Sequence, residues 1–305
     1  MRRNVTFASQ GSQCVGWLYL PDERQPGEKL PALVMANAIT AVKEMVLPAY
    51  AERFAKAGFA CLAFDFRFFG ESGGEPRGQL FAHEQIEDLR NAISWLSAQP
   101  EIDANRIGAW GASFGGAHVL YLSAFDKRIK AVVAAVPSMR ASDTMVNFIG
   151  REGLAKVLGF LGWDRTTRYQ SGAATTIKAV SDGTENAMLP NPEAFAFYPK
   201  LAETIAPNWK NLVTVESMEK LIEYDPVYSI DLIAPTPMLM IIGEKDQSQP
   251  ANLTLDAFAR AGEPKKAVKL PCGHTEMLAA PNFVEQSASE AVQWFTQHLG
   301  VPMST

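Results

Sequence analysis

The chain has 305 residues, 47% of them hydrophobic and 20% charged, a composition that suits a soluble fold of one or two domains. The formal net charge of −5 offers no basic footprint for nucleic acid. The apolar runs are too broken for a membrane span. No apolar signal core follows Met1-Arg2-Arg3-Asn4, and Cys14, Cys61 and Cys272 are odd in number and scattered, which points to a reducing, cytoplasmic setting.

In chain order, Val5 to Leu20 alternates and reads as two strands joined by Ser9-Gln10-Gly11-Ser12. Pro21 to Lys29 is a polar loop. Leu30 to Ala36 is an apolar strand, and Pro48 to Ala57 is a helix stopped by Gly58. Phe59 to Phe66 is a second apolar strand, ending around Asp65. The loop R-F-F-G-E-S-G-G follows, and then a helix from Ala82 to Ala98 with Ile86, Leu89, Ile93 and Leu96 on one face.

Arg106 to Leu122 carries the strongest signal. Ile107 to Trp110 is apolar, G-A-S-F-G is a sharp turn, and a small-residue helix starts near Gly115. Strand, turn and helix with Ser113 at the apex form a nucleophile elbow. Another buried strand runs from Ile129 to Val136. Continuous apolar strands alternating with helices mean a mostly parallel α/β sheet covered on both faces.

After Pro137 the rhythm breaks. Residues 138–225 have no buried strand pattern and read as a helical insertion, with helices at Met145 to Leu161, Pro192 to Ile205 and Val215 to Tyr224. It is rich in aromatic residues, Trp163, Tyr198 and Trp209 among them. The sheet rhythm resumes at Pro237 to Gly243. A helix from Pro250 to Ala261, a strand at Lys266 to Leu270 and a last helix from Val284 to Leu299 follow. The core is thus split, residues 1–137 and 226–305.

The elbow, D-F-R-F-F-G-E-S-G-G, I-I-G-E-K-D and C-G-H together resemble the α/β-hydrolase superfamily. A-N-A-I-T-A-V-K-E-M and N-W-K-N-L-V-T-V-E-S resemble the branch of dienelactone hydrolases, Xaa-Pro peptidase-like hydrolases and fungal polyketide transferases. The resemblance implies an α/β-hydrolase fold with the insertion as a helical cap. Lys43-Glu44 matches a pair in that branch and reads as structural.

A serine hydroxyl needs an adjacent base, and the chain has four histidines. His118 lies along the elbow helix, directed away from the apex. His83 opens a helix beside Glu84 and Glu87, a solvated setting, and His298 sits near the end of the last helix. His274, after Gly273 in the loop beyond a strand, is where the superfamily keeps its base. Chain order is Ser, acid, His, leaving Glu244 and Asp246. Asp246 matches the family's G-x-x-D, and Glu244 reads as a surface charge.

The oxyanion donors are then the N–H of Phe114 and, by the family's loop after the Leu33 to Ala36 strand, the N–H of Ile39. Asn37-Ala38-Ile39 departs from the common H-G-x there. Phe68, Phe69, Ile39 and Phe114 would form an apolar wall, with Trp163, Tyr198 and Trp209 closing a substrate pocket. Cys272 lies close enough to His274 for thiol reagents to matter there. No metal-ligand spacing and no cofactor motif is visible.

The reading is a serine hydrolase of carboxylic esters or thioesters with a small-molecule acyl substrate. Two alternatives stay open. One is an acyltransferase passing the acyl group to an alcohol, amine or thiol, with a carrier protein or CoA thioester as donor. The other is a ligand-binding protein with little turnover. A homodimer is compatible with either enzyme reading.

Overall fold

The computed structural model describes residues 1–23 and 27–300, so residues 24–26 of the expected Pro21 to Lys29 loop lie outside the described residues. The chain runs β1 (Arg2–Ser9), β2 (Ser12–Tyr19), β3 (Leu30–Ala36), α1 (Leu47–Lys56), β4 (Ala60–Phe64), α2 (Ala82–Ser97), β5 (Ile102–Ala112), α3 (Phe114–Phe125) and β6 (Ile129–Ala135). The insertion holds α4 (Ala141–Ser171), β7 (Thr176–Ser181), β8 (Ala187–Pro190), α5 (Pro192–Thr204), β9 (Val213–Thr214) and α6 (Val215–Glu223). A 3-10 turn at Pro226–Ile233 leads back to β10 (Met238–Gly243), α7 (Ala251–Arg260), β11 (Lys265–Leu270), α8 (His274–Ala279) and α9 (Pro281–Leu299).

The main sheet has the order β1-β2-β4-β3-β5-β6-β10-β11. Six strands from β4 to β11 are parallel, and the β1–β2 hairpin joins them antiparallel through β2 and β4. β3, β4 and β10 are buried at every position. That is why they read as unbroken apolar runs and not as alternating ones. α1 packs with α9, and α2 with α3, so helices cover the sheet. Under α1 and α9, Trp110 from β5 meets Tyr50 at 4.3 Å and Phe54 at 5.8 Å, and Phe54 meets Phe295 at 6.1 Å.

The insertion is not all helical. β8, β7 and β9 form a separate three-stranded sheet that the sequence did not announce. β9 is two residues long, and β7 is buried only in its second half, so neither presents a full period of alternation. α4 is also longer than its expected span, and its helical geometry breaks at Gly150, φ 70°. Among the described residues, no helix is long and apolar enough to cross a membrane.

Candidate active site

β5 delivers Ser113 at φ 55°, ψ −119°, outside helical and strand geometry, and α3 starts at the next residue. Such a conformation is costly and persists only where the surroundings impose it. Two glycines permit it. A Cβ on Gly111 would lie 2.2 Å from the Gly115 carbonyl, and one on Gly115 would lie 2.2 Å from the Ala36 carbonyl. The second contact sets the start of α3 directly against the end of β3. The loop carrying Asn37, Ala38 and Ile39 therefore begins beside the elbow.

His274 opens α8 in the segment after β11, and Asp246 sits in the loop after β10. Nε2 of His274 lies 2.9 Å from Ser113 Oγ, and Nδ1 lies 2.7 Å from Asp246 Oδ2. An ionised carboxylate only accepts, so Nδ1–H donates to it and Nε2 is left to accept from the serine hydroxyl. The other carboxylate oxygen accepts from Gln249 N at 2.7 Å. All three residues are buried, whereas Glu244 is exposed. A hydroxyl facing a neutral imidazole whose far side is held by a carboxylate can pass its proton to that ring as it attacks a carbonyl.

Phe114 N is the first N–H of α3, where a helix has no acceptor of its own. The Ile39 loop is braced from within. Asn37 Oδ1 accepts from Ala38 N at 2.9 Å, and Asn37 Nδ2 donates to Val42 O at 2.7 Å. Lys43 is fully buried further along, its Nζ 3.0 Å from Asp65 and 2.8 Å from Glu44, with Glu71 also in contact. Burial opposes its charge, but these carboxylates outweigh that and carry Lys43 well above an ordinary lysine. Asp65 also accepts from Lys43 N and Glu71 N, tying the Ile39 loop to the Phe68 loop.

The Phe114 ring is buried, 4.2 Å from the His118 ring and 5.9 Å from Tyr224. Phe69 is buried, and Phe68, at φ 74°, lies against Gly74 with the Arg67 guanidinium 5.5 Å from its ring. Tyr198 and Trp209 are buried and stacked at 5.6 Å, and the Tyr198 hydroxyl donates to the Ile39 carbonyl at 2.7 Å. Trp163 is 58% exposed and stacks on Phe160.

His118 is buried, its Nε2 2.8 Å from Gln85 Oε1, and burial pushes it down to about 3. His83 is exposed, in keeping with the surface setting expected of it, and lies edge-on to Tyr121 at 5.5 Å and to Tyr224 at 5.9 Å. Cys272 is buried and its thiol is pushed up to about 11, by burial first and then by Glu276 and Asp246. Proximity to His274 therefore does not make it a reactive thiolate.

Sequence reasoning missed Glu193. It lies in the first turn of α5, and its carboxylate accepts from Thr275 N at 3.0 Å and Thr275 Oγ1 at 2.6 Å. Asn191-Pro192 was a readable helix start, and Asn191 Oδ1 does cap the α5 N-terminus. Nothing local pointed to a partner in α8.

The family described as X-Pro dipeptidyl-peptidase (S15 family) matches residues 15–276. Thiohydrolase aneE of Aspergillus aculeatus is 34% identical over 267 residues, 84% of this chain and 80% of its own. Quorum-quenching protein AidA of Acinetobacter baumannii is 32% identical over 83% of this chain and 81% of its own. Polyketide transferase grgF of a Penicillium species is 30% identical over 87% of this chain and 86% of its own. The crystal structure of that α/β hydrolase superposes with a TM-score of 0.83 and 26% identity, covering 99% of this chain and 100% of the other.

Proposed function

Because this chain belongs to the X-Pro dipeptidyl-peptidase (S15) family and is an α/β-hydrolase enzyme, we propose that it cleaves carboxylic ester or thioester bonds through an acyl-enzyme on Ser113. The observation that carries this is the hydrogen-bond chain from Ser113 Oγ through His274 to Asp246, at 2.9 and 2.7 Å. In the first half-reaction Ser113 Oγ attacks the acyl carbon and His274 Nε2 takes its proton. Asp246 holds the ring in the tautomer that can accept and stabilises the imidazolium. The Phe114 and Ile39 N–H groups donate to the oxyanion. His274 then returns the proton to the leaving alcohol or thiol. In the second half-reaction the base activates water, which releases the acid.

The same residues serve a transferase if an alcohol, amine or thiol reaches the acyl-enzyme first. The relative named a polyketide transferase supports keeping this second reading. A carrier protein or CoA thioester is the donor proposed for it. We place the enzyme in the cytoplasm, which its three free, buried cysteines support; a homodimer is compatible with this reading, and sedimentation velocity tests it.

The deciding experiment is intact mass after incubation with a panel of acyl esters and thioesters. An acyl adduct that maps to Ser113 and is lost in Ser113→Ala is expected. Turnover with no adduct, and no labelling by a fluorophosphonate, would refute the reading.

A further inference from the structure

α5 reaches three loops around Ser113. Glu193 divides its carboxylate between two of them. Oε1 accepts from Thr275 N at 3.0 Å and Thr275 Oγ1 at 2.6 Å, and Oε2 accepts from Ser248 Oγ at 3.4 Å. Thr275 follows His274 directly, and Ser248 lies in the Asp246 loop. Asn191 Nδ2 donates to the same Ser248 Oγ at 3.5 Å. Further along α5, the Tyr198 hydroxyl donates to the Ile39 carbonyl at 2.7 Å. The Tyr198 ring is buried and stacked on Trp209. One helix of the insertion thus holds the base loop, the acid loop and the oxyanion loop.

We propose that Glu193 is a positioning residue acting through His274, that Tyr198 is its counterpart acting through Ile39, and that α5 couples the two halves of the site. The proposal rests on the Ser113–His274–Asp246 reading above.

His274 must keep Nε2 on Ser113 and Nδ1 on Asp246 together, so its backbone tolerates little drift. The Thr275 backbone and hydroxyl are fixed to a carboxylate, and hydrogen bonds to an ionised acceptor are the short, strong kind. Displacement of about 1 Å at a reacting group can cost about 100-fold in rate. The same carboxylate favours the imidazolium that forms when Ser113 gives up its proton.

Several charged or titratable groups surround His274. They are Asp246 in contact, Glu193 from α5, Glu276 from its own helix, the Cys272 thiol, and Lys245, whose N–H bonds to the Cys272 carbonyl. Burial alone would raise the Glu193 carboxyl. The Thr275 side chain and backbone, His274 and Ser248 outweigh burial and hold it below the ordinary range, so it is ionised at neutral pH. If His274 favours the charged form of Glu193, then Glu193 favours imidazolium by the same free energy. Removing that charge moves the acid limb of kcat/KM to lower pH.

The test compares wild type with Glu193→Gln, Glu193→Ala, Tyr198→Phe, the double variant Glu193→Gln/Tyr198→Phe, and Ser113→Ala, on one chromogenic ester. Glu193→Gln keeps an oxygen that can accept from Thr275 and loses the charge. It should lower kcat about tenfold, leave KM within about twofold, and shift the acid limb downward. Glu193→Ala should lose about 100-fold in kcat. Tyr198→Phe should lower kcat without moving the limb. The double variant should lose less than the product of the single effects, because α5 carries both contacts.

If Glu193→Ala melts, the Gln and Phe variants carry the test alone. A folded Glu193→Gln with wild-type kcat and an unmoved limb overturns the proposal. So does a loss of kcat with the limb unmoved, which marks a purely structural role. An inactive Ser113→Ala beside wild-type Glu193 variants defeats this proposal only; an active Ser113→Ala defeats the reading beneath it as well.

Discussion

Ser113→Ala removes the hydroxyl that faces His274 Nε2, and kcat should fall by about 10⁶ with the melting temperature unchanged. A fluorophosphonate that labels wild type and not this variant checks it. The two acids behind β10 should separate sharply. Asp246→Asn should cost about 10⁴ in kcat, since the amide reverses what Nδ1 can donate to. Glu244→Gln should cost less than about tenfold, because Glu244 is exposed and Asp246 is buried on the imidazole. The opposite ranking in initial rates would move the acid to Glu244.

His118 offers a test of stability with pH. Burial lowers it to about 3, so the folded chain keeps it neutral while the unfolded chain titrates near the ordinary value of about 6.5. Because the folded-state value is the lower one, stability is lost as pH falls between those values, by up to about 1.4 kcal/mol per pH unit. Urea midpoints for wild type and His118→Gln should converge on acidification. That Ser113, Asp246 and His274 meet was readable, because a glycine-flanked turn, a strand end and chain order are local patterns. The contact of the Phe114 ring with Tyr224 was not readable, because no local window contains both residues.

At the scale of elements, Asp65 at the end of β4 joins two loops through the buried Lys43. Lys43→Met would leave Asp65 buried without its cation, and removing one partner of such a pair typically costs about 3–5 kcal/mol. Chemical denaturation should register that loss. Activity should fall with it, since Lys43 shares a loop with Ile39. The inner strands β3, β4, β6 and β10 were legible because parallel strands covered on both faces are nearly unbroken apolar runs. The small sheet of β7, β8 and β9 was not, because its strands are short and β7 and β8 are only partly buried. The bonds of α5 were hidden for another reason: Glu193 meets Thr275 across 82 positions of sequence, and no periodicity encodes such a meeting.

For the whole molecule, the insertion lies in sequence between Ser113 and the two residues proposed to serve it, and its aromatics should govern which acyl chains are accepted. Truncating Tyr198 or Trp209, both buried beside the Ile39 loop, should change the acyl-length profile of KM more than truncating the exposed Trp163. Identical profiles in all three would leave the region as packing. The acyl-enzyme should partition mainly to water. Free acid measured against acylated alcohol or amine at millimolar acceptor checks this, and an excess of acylated acceptor would favour the transferase.

The same chain order bears on biosynthesis. Ser113 precedes the insertion and both of its partners follow, and β10 reaches the sheet only by pairing with β6, Met238 opposite Val132. On the proposed roles, a nascent chain halted on the ribosome before β10 carries the serine with neither base nor acid and should not trap cellular acyl groups. Reactivity should arrive with the segment from β10 to α8, after the earlier strands have had time to assemble.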